Sequence, residues 1–308
     1  MKCLLCEASR LRVVQQLTGM ELRALLEALG HRLSDAALGQ ITPEYRIELQ
    51  ECETCGFHFF DPALAGAGQF YEELDQAVYY PGERAEYAFA LGACVDHGVR
   101  RVLDVGGGDG AFLDLARGRG LETLGVELNT IAAAVAAAKG HRMLSKMLEE
   151  IAPADIGGEV DALTLFHVVE HVRAPCDFLR SAAALVRPGG LLITSVPNRE
   201  GLIRLLPYDP ANLPPHHVSR WRARDFTRLA KGTGLELLET RTETLYGSGI
   251  EGFWLQHNRL AAAIGRPPYP GGTWLPRLLS LLYRKLGCRH YLPLAGFGLF
   301  VVFRRPNV

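Results

Sequence analysis

The chain lacks long hydrophobic runs. No stretch approaches ~18 consecutive apolar residues, so a membrane-spanning helix is not expected. The first residues contain no apolar core segment of the signal-peptide kind. Both absences make a cytoplasmic protein the expectation. Internal repeats and low-complexity tracts are also missing. There is no basic run in residues 1–60, and the net charge is −1, which argues against non-specific nucleic-acid binding by the whole chain. Acids are absent after Glu251, whereas Arg259, Arg266, Arg277, Arg284, Lys285, Arg289, Arg304 and Arg305 follow it, so the tail is positive. Cysteine is scarce and clustered. In a cytoplasmic setting the seven cysteines read as thiols or metal ligands rather than disulfides.

Against these absences stands a glycine-rich stretch, Val102-Leu103-Asp104-Val105-Gly106-Gly107-Gly108-Asp109-Gly110, followed by the helical pattern Ala111 to Ala116. A buried parallel strand that feeds a helix through a tight turn has this form. Gly106, Gly108 and Gly110 let a ligand approach the backbone without meeting a Cβ, and free N–H groups at the helix start face it. Gly106-x-Gly108-x-x-Ala111 also fits the dinucleotide fingerprint, so the turn alone leaves the cofactor open. Leu124-Gly125-Val126-Glu127 reads as a second strand, closed by an acid placed for ribose hydroxyls. Further strands are expected at Arg142–Leu144, Asp161–Phe166, Gly190–Pro197, Leu235–Thr240 and Phe297–Phe303, and helices at Arg84–Cys94, Ile131–Ala138 and about 224–232.

With the glycine loop and its leading acid, the acid after the second strand, His167-Val168-Val169-Glu170-His171 and the Arg187-Pro188-Gly189-Gly190 turn in this order, residues 85–245 closely resemble the class I S-adenosylmethionine-dependent methyltransferases. The resemblance implies an α/β fold, a Rossmann-like seven-stranded sheet, mostly parallel with the last strand antiparallel. It implies S-adenosylmethionine as cofactor, held by Asp104, Gly106, Gly108, Gly110 and Glu127. Phe166 and His167 lie at the carboxyl end of the fourth strand, facing cofactor or substrate. The resemblance also locates the adenine contact in the turn after Leu144, with Met147 or Leu148 against the ring.

Cys3-x-x-Cys6 and Cys52-x-x-Cys55-Gly56 form two knuckle-like pairs, and four thiolates suit tetrahedral zinc. The amphipathic helix Met20–Gly30 reads as an insertion on a zinc-ribbon-like module, and Tyr45–Gln50 as a strand leading into the second pair. Some bacterial sugar and polysaccharide methyltransferases carry a similar four-cysteine module. The expected organisation is a zinc-binding module at 1–62 and an aromatic linker at 63–98. A cofactor domain with an insertion at 247–290 fills 99–308. The module and the cofactor domain are each expected to have their own core. The linker aromatics Phe70, Tyr71, Tyr79 and Tyr80 either cover the cofactor or pack the two modules together.

His167 and His171, at i and i+4, could share a helical face as metal-binding histidines do, without an evident third ligand. Leu213-Pro214-Pro215-His216-His217 precedes the last helix and resembles the Tyr-x-Glu-His stretch of sugar C-methyltransferases. His217 matches its histidine, while His216 and Pro214 replace its glutamate and tyrosine. His217, His216 and His167 are the candidate catalytic residues, since imidazole titrates near neutral pH.

The leading expectation is methyl transfer to a small acceptor, a sugar, sugar nucleotide or glycan precursor, at oxygen rather than carbon or nitrogen. A second reading rests on Glu170-His171-Val172 and Val196-Pro197-Asn198-Arg199, which resemble ubiquinone-pathway O-methyltransferases acting on a prenylated phenol. A third is a zinc-bearing nucleic-acid-binding protein with an inert domain. Residues 253–290, basic and apolar at helical spacing, could cover the substrate, form a homodimer, or rest peripherally on an anionic membrane.

Overall fold

The computed structural model describes residues 1–66, 68–73, 84–244, 250–267 and 295–307. The N-terminal part contains β1 (Leu11–Thr18), α1 (Gly19–Ala28), α2 (Asp35–Leu38), β2 (Arg46–Cys52) and β3 (His58–Phe59). Thr18 and Glu21 form a capping box that starts α1, each satisfying the other's backbone N–H. Helices α3 (Gly68–Glu73) and α4 (Ala85–Asp96) lead into the larger part.

That part alternates strand and helix through β4 (Arg101–Val105), α5 (Ala111–Arg117), β5 (Glu122–Val126), α6 (Thr130–Ala138), β6 (Arg142–Leu144), β7 (Val160–Phe166), α7 (Pro175–Ala184) and β8 (Val186–Pro197). It ends with β9 (Ser219–Arg220), α8 (Ala223–Thr233), β10 (Glu236–Thr244), α9 (Ile250–Ala263) and β11 (Ala295–Arg304). Seven strands form one sheet in the order β10-β11-β8-β7-β4-β5-β6. Pairings among β4 to β8 are parallel, and β11 runs antiparallel to both β8 and β10. This is the seven-stranded α/β sheet expected, with its reversed last strand. Six of the seven residues of β7 are buried, because helices cover both faces of a parallel sheet.

Two expectations for the N-terminal part change. Strand β1 was not foreseen. It pairs antiparallel with β2 from Leu11↔Cys52 to Thr18↔Arg46, so α1 lies inside a hairpin-like excursion. The expected separate cores merge. A second sheet of order β1-β2-β3-β9 takes its last strand from the cofactor part, with Phe59 paired to Ser219 and His58 to Arg220. Cys3, Leu5, Cys52, Cys55, Phe57 and Phe59 share a buried cluster with Trp221, Phe226 and Leu229. Phe57 meets Trp221 edge-on at 4.8 Å between ring centroids, and Trp221 stacks on Phe226 at 5.1 Å.

Across this seam Arg222 is 1% exposed, pairs with Asp225 at 2.8 Å and donates to the Cys55 carbonyl at 3.1 Å. Arg199 donates to the Gly56 carbonyl from the same side. No described helix is long and apolar enough to cross a membrane. Of the basic stretch 253–290, Leu260 of α9 is buried against Leu22 and Leu25 of α1, and Arg266 just beyond α9 pairs with Glu21 at 3.2 Å. Residues 268–290 and the linker tyrosines Tyr79 and Tyr80 lie outside the described residues.

Breaking the seam charge pair has a predictable cost. Arg222→Met strands the Asp225 carboxylate in a dry site, and stability should fall by about 3–5 kcal/mol, read as a lower denaturant midpoint. A change below ~1 kcal/mol would show that the pair does not hold the seam.

Candidate active site

The carboxyl ends of β4, β5 and β7 open onto a cavity of ≈ 1130 Å³. Its floor is the glycine turn. Gly106, at φ +79°, packs so closely under Val168 that a Cβ would stand 2.8 Å from its methyl carbon. The N–H groups of Gly106 and Gly107 both donate to the Val126 carbonyl, which ties the turn to the end of β5. Glu127, just beyond β5, bridges the next two points: its carboxylate accepts from Gly108 N and from Asn129 N, both at 2.8 Å. Asn129 in turn caps α6 through Ile131 N and Ala132 N.

Glu127 is 8% exposed, and burial lifts its carboxyl above the ordinary range against the pull of these amides. Asp104 lies beneath the floor, 2% exposed, and accepts from the Thr164 hydroxyl at 2.7 Å. Burial pushes its carboxyl up to about 7, with the nearby Glu127 charge adding to the effect and Thr164 opposing it.

Gly106, Gly108, Glu127, Met147, Phe166 and His167 line the cavity, as do Lys146 and Leu148 of the turn after β6. Gly110 has a different setting. It caps α5 at φ +86°, and a Cβ there would meet His141 at 2.9 Å and Ala136 at 3.1 Å, so its bareness serves helix packing. Phe166 is wedged between Phe112 and Tyr87, at 4.8 and 5.0 Å between centroids.

The candidate histidines separate into two environments. Strand β7 ends at Phe166 and continues as a turn, so His167 and His171 do not share a helical face. His167 adopts the left-handed backbone, φ +54°, and its ring is clamped between Glu170 (Nδ1, 3.1 Å) and Glu86 (Nε2, 3.1 Å). Burial opposes charge on this ring, but the two carboxylates outweigh it and raise the imidazole to about 9. His167 is therefore a fixed cation at neutral pH rather than a proton acceptor. Glu86 lies 81 residues away in sequence, and no local pattern could have announced this partnership.

His216 and His217 line the cavity together with His171. His216 and His217 stack at 4.4 Å, and His171 meets each of them edge-on at 4.7 Å. Burial, followed by the neighbouring imidazoles, lowers His216 to about 3 and His217 well below the ordinary value, so both rings are neutral. Tyr71 of α3 covers this group, with its hydroxyl 3.2 Å from His171 Nδ1. Leu26 and Leu29, from the helix inserted in the N-terminal part, also line the cavity. Sequence reasoning missed these leucines, because their side chains reach the site only through the fold.

The four cysteines meet at the other end of the seam. Cys3 and Cys55 sulfurs are 3.5 Å apart, Cys6 and Cys52 3.6 Å, and all four lie within 4.8 Å of one another. A Zn–S bond of about 2.3 Å places sulfurs at tetrahedral corners about 3.8 Å apart, so the donor set fits one zinc ion. The distances also exclude disulfides, whose bonds are about 2.05 Å.

A family model described as a methyltransferase domain matches residues 72–240. The chain belongs to that methyltransferase family. The chain resembles a ubiquinone biosynthesis O-methyltransferase of Alkalilimnicola ehrlichii, 31% identical over 144 residues covering 40% of this chain and 58% of the relative. A ubiquinone biosynthesis O-methyltransferase of Burkholderia ambifaria is 28% identical over 172 residues, covering 49% of this chain and 70% of the relative. The chain thus spans less than two thirds of the first relative's length. An S-adenosylmethionine-dependent methyltransferase of Clostridium acetobutylicum shares the fold at TM-score 0.50 and 10% identity, over 77% of this chain and 98% of that one.

The cysteine cluster makes a direct prediction: protein purified without chelator contains one zinc per chain, and Cys52→Ser lowers that content. Because the cores are continuous, the same substitution should speed amide exchange in residues 213–222 as well as in 1–60. Elemental analysis showing no stoichiometric zinc would remove the metal, and exchange confined to 1–60 would remove the coupling.

Proposed function

We propose that the protein transfers a methyl group from S-adenosylmethionine to a hydroxyl oxygen of a small phenolic acceptor with an apolar tail. One observation carries the reading: a single cavity joins the glycine floor and Glu127 to a wall of neutral imidazoles. Its volume exceeds what one small ligand needs, which leaves room for cofactor and acceptor together. When bound, the cofactor supplies a methyl group already activated on a sulfonium, so the chain has to align the acceptor and manage its proton.

The residues fit this division of work. Each Glu127 oxygen holds one backbone N–H and keeps a lone pair for ribose hydroxyls. The Asp104 carboxylate under the floor favours a cationic ligand above it. Met147, Leu148 and Phe166 offer apolar surface to the adenine. His171, His216 and His217 meet the acceptor hydroxyl, while Leu26, Leu29, Val172 and Phe178 give its tail an apolar lining. The ubiquinone-pathway relatives support the phenol over the sugar that was the leading expectation from the sequence. Zinc at the four cysteines has a structural role in this reading, holding the seam that carries residues 213–222.

Calorimetry with S-adenosylmethionine, then mass analysis of products from prenylated phenols and nucleotide sugars, tests the proposal. A methylated phenol is expected. His217→Ala should lower turnover by about 100-fold or more while cofactor affinity changes little. No cofactor binding would end the reading, and methylation of a nucleotide sugar alone would return the acceptor to the sugars.

The Asp104 environment also sets a pH dependence. In the free protein its carboxyl holds a proton below about 7, and a bound cation favours the ionised form. Cofactor affinity should therefore weaken as pH falls, by up to about tenfold per unit below pH 7, and level off above it. Asp104→Asn should bind more weakly and flatten that profile; an unchanged profile would show that Asp104 does not sense the cofactor.

A further inference from the structure

We infer that His171, His216 and His217 form a second metal site in the acceptor wall, suited to a divalent transition ion of the zinc or iron(II) kind. The three side chains come from segments 45 residues apart and bring one ligand atom each to within 4.8 Å of one another. Three imidazoles this close together can turn one nitrogen each toward a common electrophile.

The tautomers support the assignment. His171 Nδ1 donates to the His216 carbonyl at 2.6 Å, and His216 Nδ1 donates to the Ala211 carbonyl at 2.9 Å. Each carbonyl can only accept, which pins the proton on Nδ1 and places the lone pair on Nε2. A carbonyl behind the non-ligating nitrogen is the usual support of a metal-bound histidine, where it fixes ring orientation. The backbone of His216 thus holds the ring of His171 in place.

A counter-charge stands behind the cluster. Glu170 is fully buried, with Oε1 3.9 Å from His217 Nε2, and its Oε2 has no hydrogen-bond partner among the described residues. Oε1 already pairs with the His167 cation, so it is Oε2 of that carboxylate that is left to offset a dication beside apolar walls. Imidazole donors favour zinc, iron, nickel or copper over magnesium. Three protein ligands leave a coordination position open, as in catalytic rather than structural zinc sites. All three histidines line the cavity, so the open position faces it and suits an acceptor oxygen. This last step rests on the methyl-transfer reading, whereas metal binding by the histidines does not.

Cobalt(II) alone is the probe, titrated into the protein as purified, with its cysteine site left intact. The expected result is about one further equivalent per chain, giving visible d–d bands without the sulfur-to-metal charge transfer that thiolates produce. His216→Gln and His217→Gln should each weaken that binding at least tenfold, and His97→Gln, exposed at the end of α4, should not. Failure to bind cobalt except with thiolate charge transfer overturns the site, and so does undiminished binding in His217→Gln. Cofactor calorimetry on the same samples separates the two readings. Cofactor binding without the histidine-bound cobalt removes the metal site alone, and cobalt binding without cofactor binding removes methyl transfer alone. A prenylated phenol that leaves the cobalt spectrum unchanged removes the acceptor from the open position.

Discussion

The segment from Leu213 to Arg222 is the constraint on which the site depends. It has little regular structure of its own, so its shape comes from what holds it on either side. Val218 N and Ser219 N both donate to the Glu170 carbonyl at the end of the β7 turn. From the other side Phe60 N takes the Val218 carbonyl, Gly66 N takes the Pro215 carbonyl, and Ser219 pairs with Phe59 as part of β9. The cysteine module thus positions His216 and His217 for a sheet to which it does not belong. Trp221, Phe226 and the Arg222–Asp225 pair then lock the far end of the segment into the common core.

The cofactor end is organised by buried carboxylates rather than by packing. Burial raises both Asp104 and Glu127, and the Glu127 charge adds to the rise at Asp104 in a region with little water to screen it. Without a ligand this stored repulsion is balanced by backbone N–H groups and by Thr164. A cationic ligand relieves it, so the same feature that costs the empty site favours the occupied one. His167 is the mirror case: a cation held by Glu86 and Glu170, with its backbone in the left-handed region as the geometric consequence.

These two arrangements account for the cavity's division. The glycine floor and the acids belong to the parallel sheet, whose strand ends open on one side. His216, His217, Tyr71 and the leucines Leu26 and Leu29 come from parts added around that sheet, and they meet His171 on the turn after β7.

What the sequence by itself determined is local. Strands β4, β5, β7 and β8 were legible from their apolar runs and β6 from its place in the strand order, and the floor because Asp104, the glycines and Glu127 lie within one β-turn-α-β unit. The cysteine pairs were legible because short spacing places two thiols at once. Tertiary structure decided the rest. It turned Gly110 from a ligand contact into a packing contact against His141. It neutralised His216 and His217 while charging His167, and it joined two expected cores into one through β9. Each of those outcomes rests on partners far apart in the chain, such as Glu86 with His167 or Arg222 with Cys55. Burial and the charge beside a group set its chemistry, and no window of sequence contains either.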